Sequence, residues 1–174
     1  MLLSERPSQS PKPLSLGKNN MGKYTSTKII ELGSCAFRQW KAEGTRCKFV
    51  HGYRLMAKFW FECSELDHRN WCVNFGGLKE LKQILQNQFD HTLCIASDDP
   101  NLATFRTLHE QEGCDLRIMD GVGIEKTAEW CFKAANLFLE GNEETHKRCW
   151  VSKVEVWEHE QNSAIYTGTE KDYE

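Results

Sequence analysis

Nowhere does this chain run apolar for the eighteen or so residues that a membrane-crossing helix needs, so no membrane partner is expected. Its start, Met1-Leu2-Leu3-Ser4-Glu5-Arg6-Pro7, lacks the apolar stretch of a secretory signal. Cysteine is present but never in a C-x-x-C pair: Cys35, Cys47, Cys63, Cys72, Cys94, Cys114, Cys131 and Cys149 are scattered along the chain. That spacing argues against a disulfide framework, and the thiols are expected to stay reduced in the cytoplasm, mostly as small core residues. Charge of one sign is missing too. With 22 Lys and Arg against 25 Asp and Glu the net charge is -3. No global field draws nucleic acid or an anionic membrane, although locally placed arginines can still hold a phosphate. Proline is scarce, and Pro7, Pro11 and Pro13 all fall within residues 1–22.

What remains is ordinary for one globular domain: 174 residues, 40% hydrophobic and 27% charged. Residues 1–22 combine their prolines with Ser, Lys, Asn and Gly, and are read as a disordered tail, with Met21 an alternative start. Residues 23–168 form the domain, and 169–174 a loose C-terminal tail. A first strand is expected over Tyr24–Leu32. A second, Arg54–Cys63, alternates Leu55, Ala57, Phe59 and Phe61 with Arg54, Lys58 and Glu62, the period of a half-buried strand.

Gly76-Gly77 opens a helix carrying Leu78, Leu81, Leu85 and Phe89 at helical spacing. A second helix is expected from Lys126 to Glu140, with Trp130, Ala134, Leu137 and Phe138 on one stripe. Between them lie the turn Ser97-Asp98-Asp99-Pro100 and a short extra helix within Asn101–Glu112. Strands Cys149–Glu158 and Ser163–Thr167 follow. The order predicts an α+β fold: a four-stranded antiparallel sheet, with two helices inserted between strands 2 and 3. Such a sheet has edges to cover, and pairing them between subunits would do so.

The chemistry-bearing stretch is Cys47-Lys48-Phe49-Val50-His51-Gly52-Tyr53. Three further features stand in order behind it: Asp90-His91, Lys126-Thr127-Ala128-Glu129 and Glu158. Together they resemble the 6-pyruvoyl-tetrahydropterin synthase and 6-carboxy-tetrahydropterin synthase family, over roughly residues 24–168. The resemblance implies a tunnelling fold, homo-oligomers with active sites at subunit interfaces, and a pterin triphosphate as substrate.

It further implies Cys47 as the catalytic base, Asp90 and His91 as the proton-relaying pair, and Glu158 as the pterin anchor. A thiolate suits proton abstraction when its surroundings bring its pKa towards working pH. A carboxylate can accept two hydrogen bonds from a pterin's 2-amino group and ring N–H. Thr127 and Glu129 are implied near the substrate. Each has a bland reading beside the functional one. Cys47 could be a structural thiol, and Asp90-His91 a helix C-terminus. Glu158 could be a surface strand residue, and Thr127 a helix cap with Glu129 favouring the helix N-terminus.

The family's zinc is held by three histidines. Here only His51 is retained, with Phe37 and Tyr53 in the other two positions. Cys35, Cys47 and His51 could converge as a rebuilt metal site. Alternatively Arg38 and Arg54, beside the two substituted positions, could hold the substrate's oxygens without metal. His68, His109 and His146 are read as surface residues. The resemblance therefore implies a 6-carboxy-tetrahydropterin synthase-like lyase acting on 7,8-dihydroneopterin triphosphate, in deazaguanine (queuosine-type) or pterin synthesis. The alternatives are a 6-pyruvoyl-tetrahydropterin synthase, or a pterin- or purine-binding protein without turnover.

Overall fold

Leu55, Ala57, Phe59, Phe61 and Cys63 occupy alternate positions of one strand, and all five are fully buried. In the computed structural model, which describes residues 23–169 and Asp172, that strand is β2 (His51–Cys63). It lies between β1 (Tyr24–Phe37) and β5 (Cys149–His159) at the centre of the sheet. β6 (Asn162–Thr167) continues the sheet beyond β5, and β3 (Thr92–Ala96) and β4 (Leu116–Met119) continue it beyond β1. The order is β4-β3-β1-β2-β5-β6.

The expected four-stranded antiparallel sheet is therefore a six-stranded mixed one. β1, β2, β5 and β6 pair antiparallel, while β3 runs parallel to both β1 and β4. The two extra strands left little trace in the sequence. β3 is five residues, every one buried, and so lacks the alternation that reveals a half-exposed strand. β4 has only four. The helix expected within Asn101–Glu112, α2 (Leu102–Glu110), is the crossover that lets β3 and β4 run parallel.

The side chain of Asn74 accepts the Gly76 amide at 3.0 Å and starts a 3-10 turn that leads into α1 (Lys79–Phe89). α1 buries Leu81, Leu85 and Phe89, and α3 (Ile124–Glu140) buries Ala128, Cys131, Phe132, Ala135 and Leu139, all in one core with the sheet. Phe89 meets Trp130 edge-on at 5.2 Å and ties the helices together. Each large side chain so buried contributes about 1.5–3 kcal/mol.

Six of the eight free cysteines are buried, and Cys47 and Cys114 are the two that are not. Burial pushes the Cys63 thiol up to about 12, with help from Cys72, so it is an inert core thiol. The expected N-terminal tail, 1–22, lies outside the described residues. Within the C-terminal stretch expected to be loose, Asp172 accepts the Tyr166 hydroxyl at 3.3 Å and the Thr169 amide at 2.7 Å. Among the described residues, no helix is long and apolar enough to cross a membrane.

Candidate active site

β1 runs to Phe37 and β2 begins at His51, so both strands extend further towards each other than their sequence patterns implied. The connection between them is pinned at several points. Arg38 Nε lies 2.8 Å from Asp99 Oδ2, in an ion pair whose carboxylate is fully buried. The indole N–H of Trp40 donates to Asp98 Oδ1 at 3.0 Å, and Lys41 pairs with the same carboxylate. The turn Ser97–Pro100 thus serves as an anchor for the loop. Cys47 sits in a 3-10 turn, Arg46–Lys48, capped by Thr45, whose Oγ1 accepts the Cys47 amide at 3.2 Å. The Cys47 carbonyl in turn accepts the Gln39 amide at 2.9 Å.

Three rings fill the end of the sheet beside this loop. Phe37 pairs with His51 across β1 and β2, and Tyr53 follows two residues on, on the same face. Their centroids are 4.9 Å apart for Phe37 and His51, 5.6 Å for His51 and Tyr53, and 6.1 Å for Phe37 and Tyr53. Phe37 is buried, while His51 and Tyr53 are partly open. His51 Nδ1 lies 2.8 Å from the Phe49 carbonyl, which makes Nδ1–H the donor there. Burial first, then the Glu158 carboxylate and Cys47, raise the Tyr53 phenol above its ordinary value. Tyr53, Glu158 and Cys47 therefore share one electrostatic neighbourhood, with the phenol protonated at neutral pH. Glu158 is half-buried near the end of β5, and His159 lies 6.4 Å from Tyr53.

Asp90 and His91 sit elsewhere, where α1 passes into β3. Asp90 Oδ1 accepts the Ser34 amide at 3.0 Å and lies 2.9 Å from His91 Nδ1. Adjacent side chains seldom meet in this way. Here His91 adopts a left-handed backbone, φ 58°, which turns its ring back onto its neighbour. Gly33, φ 110°, makes room, because any Cβ there would collide with the Asp90 side chain. The Ser34 amide holds the Asp90 carboxyl below its usual value, with burial opposing and His91 assisting. His91 is 86% exposed. Among the described residues, no hydrogen bond, ion pair or ring contact joins this pair to Cys47.

α3 starts at Ile124, two residues earlier than expected, with Gly123 at its N-cap. Thr127 is therefore not the cap; it lies inside the first turn and is buried. Gly123 has φ 111°, and a Cβ there would sit 2.7 Å from Gln39 Nε2, so the helix start abuts the Cys47 loop through Gln39. Glu129 binds Lys126 at 2.7 Å and Lys133 at 2.6 Å, which keep its carboxyl low despite partial burial. These three side chains border a recess of about 200 Å³. A larger concavity, about 450 Å³, lies at the far end of β1, beside Tyr24–Ser26 and Trp71–Gly76. Arg54 forks onto Glu31 at 2.7 and 2.8 Å on the exposed side of the sheet. Both arginines expected to face substrate are thus committed to carboxylates.

The donor set does not fit the family's zinc. A tetrahedral three-histidine site needs three imidazole nitrogens on one ion. Phenylalanine offers none and a phenol is a poor zinc ligand beside imidazole, which leaves His51 as the one imidazole of the three positions. The rebuilt set of Cys35, Cys47 and His51 does not form: Cys35 Sγ is turned to Cys94 Sγ at 3.6 Å inside the core. Among the described residues, no group of three or more His, Cys, Asp or Glu is arranged to hold a metal ion. Gln39 and His159 were missed from sequence. His159 carried a signal, one residue beyond the expected Glu158 anchor, whereas nothing marked Gln39.

Comparison with known proteins addresses the family and the fold. A family model described as 6-pyruvoyl tetrahydropterin synthase matches residues 31–169. A 6-carboxy-5,6,7,8-tetrahydropterin synthase of Rickettsia conorii is 29% identical over 58 residues, 33% of this chain. The chain spans 42% of that protein's length. An uncharacterized protein from Wolinella succinogenes superposes with TM-score 0.70 at 18% identity, covering 84% of this chain and 98% of the other. The 6-pyruvoyl tetrahydropterin synthase of Caenorhabditis elegans gives TM-score 0.57 at 15% identity, over 84% and 96% of the two chains. That of Plasmodium vivax gives 0.56 at 15%, over 83% and 98%.

Proposed function

The chain belongs to the 6-pyruvoyl tetrahydropterin synthase family, and from that premise we propose that it binds 7,8-dihydroneopterin triphosphate and acts on it as a 6-carboxy-tetrahydropterin synthase-like lyase. The observation that carries the reading is geometric: the Cys47 turn is bonded to Gln39, which abuts the start of α3, at the sheet end where Tyr53 meets His159, next to Glu158, at 6.4 Å. Glu158 receives the pterin's 2-amino and ring N–H groups. Cys47, held by the capped 3-10 turn, takes the proton from the substrate's side chain. Asp90 and His91 supply the second half of the relay from a neighbouring subunit of a homo-oligomer in the cytoplasm. β1 favours such an assembly: β3 pairs with it only at Cys35–Phe37, so Tyr24–Glu31 has one partner strand among the described residues.

A second reading, pterin binding without turnover, is favoured by Phe37 and Tyr53 in the metal-ligand positions. Mass spectrometry of products from 7,8-dihydroneopterin triphosphate separates the two. Carboxy-tetrahydropterin and acetaldehyde, lost in Cys47→Ala by a factor of about 10²–10⁴, support the lyase. A tetrahydropterin retaining the full side chain, with triphosphate eliminated, identifies the 6-pyruvoyl reaction instead. Tight pterin binding unaffected by Cys47→Ala, with no product, leaves the binding protein.

A further inference from the structure

Three imidazoles on one tetrahedral zinc, with Zn–N about 2.0–2.1 Å, set their ring centroids roughly 5 Å apart. The Phe37–His51–Tyr53 triangle, with sides of 4.9, 5.6 and 6.1 Å, has nearly those dimensions. Strand register produces it: Phe37 faces His51 directly, and Tyr53 lies on the same face one pleat further along, opposite Cys35. The rings meet edge-on or tilted, at 63°, 89° and 42°, as aromatic groups pack in a core.

We infer that this triangle keeps the dimensions of a three-histidine zinc site while holding no zinc, ring packing joining the end of β1 to the start of β2 where a metal would otherwise join them. His51 follows the same logic. Its Nδ1–H is committed to the Phe49 carbonyl, the kind of backbone contact that orients a metal-binding histidine. Yet among the described residues no group of three or more His, Cys, Asp or Glu is arranged to share an ion with it. The Cys35 sulfur is engaged with Cys94, and Cys47 lies in a separate turn. On this arrangement the ligand's side-chain oxygens meet the Tyr53 hydroxyl and the His51 ring and not a Lewis acid.

The inference rests on family membership for the identity of the metal, and not on turnover. Metal content tests it without any activity assay. The purified full-length chain is dialysed against excess zinc, freed of unbound metal and measured by inductively coupled plasma mass spectrometry, beside His51→Ala and Phe37→His/Tyr53→His. The native chain is expected to hold no zinc that His51→Ala removes. The double variant is expected to gain one zinc per chain, and with cobalt the visible absorption of a tetrahedral site. Zinc that survives His51→Ala belongs to the thiols and leaves the inference standing. One zinc per native chain, lost in His51→Ala, would overturn it. A folded double variant that takes up no metal would overturn the geometric half. Should that variant fail to fold, the native chain and His51→Ala still decide the first half, and Tyr53→His, at a partly open position, tests the second through weaker cobalt binding.

Discussion

Arg38 is the residue on which two readings collide, and substitution decides between them. From sequence it could replace a metal ligand and hold substrate oxygens. In the structure its guanidinium is 17% exposed, pairs with the fully buried Asp99 and lies 5.8 Å from the Phe105 ring of α2. The other Asp99 oxygen accepts the Asn101 amide at 2.8 Å. Removing one member of a buried pair costs about 3–5 kcal/mol, because the remaining charge keeps its desolvation without its partner. The 2.8 Å approach between Arg38 Nε and Asp99 Oδ2 is not aligned as a hydrogen bond, so the lower end applies. Arg38→Met is therefore expected to destabilise by about 3 kcal/mol, and to lower Tm by roughly 6–12 °C at 2–4 °C per kcal/mol for a chain of this size. Arg38→Met/Asp99→Asn should recover most of that loss, since the amide still accepts from Asn101 and no lone charge is buried. Urea unfolding followed by circular dichroism measures all the variants of the cycle. A loss in Arg38→Met below about 0.5 kcal/mol, or a double variant no better than the single, would refute the anchoring role. Unchanged stability with weakened pterin affinity would restore the substrate-binding one.

Asp67 accepts the amides of Arg69 and Trp71 at 2.8 and 2.9 Å and the Arg69 guanidinium beside them. Burial pushes its carboxyl up, but these donors outweigh it and hold it at about 2. A depressed carboxyl contributes stability that is present above its unfolded value, near 3.9, and lost as pH falls through the folded one. Asp67→Asn should therefore flatten the fall in stability between about pH 4 and pH 2, and parallel acid-unfolding curves for the two proteins would exclude the contribution. The shared site makes a second prediction: Cys47→Ala and His91→Ala chains, each inactive alone, should regain part of the native rate when refolded together. Failure to complement, with mixed oligomers present by native mass spectrometry, would count against a relay shared between subunits.

Much of the frame was legible because one face of each long element is buried. The alternation of Leu55, Ala57, Phe59 and Phe61 marked β2, and Leu81, Leu85 and Phe89 marked α1. On α3, by contrast, the expected stripe of Trp130, Ala134, Leu137 and Phe138 missed the buried face of Ala128, Cys131, Phe132, Ala135 and Leu139. β3 escaped because Thr92–Ala96 is buried on both faces, which erases the period that a half-exposed strand displays. The same limit applied at the site. Residue type and order pointed to Cys47, His51 and Glu158, but pairing partners could not be read from them. Arg38 and Arg54 look free in a sequence, and only the fold brings Asp99 and Glu31 to them. Gln39 carried no pattern at all, since its place beside Gly123 follows from where α3 happens to begin.

The register of β1 also bears on whether one chain can complete the proposed relay. Asp90 is fixed to the Ser34 amide, whereas the Cys47 loop is fixed to Gln39, beyond the end of the strand at Phe37. Ser34 and Phe37 are three residues apart on an extended strand. At about 3.3 Å per residue that is roughly 10 Å along its axis. Proton transfer requires partners within about 2.6–3.2 Å, or one water between them. Neither anchor has slack: Gly33 admits Asp90 only because it lacks a Cβ, and the Cys47 loop is tied down through Asp98 and Asp99. A base at Cys47 that exchanges protons with His91 is therefore proposed to find the His91 of another subunit. Dihydroneopterin turnover by this chain would then depend on assembly in the same way as on Cys47 itself.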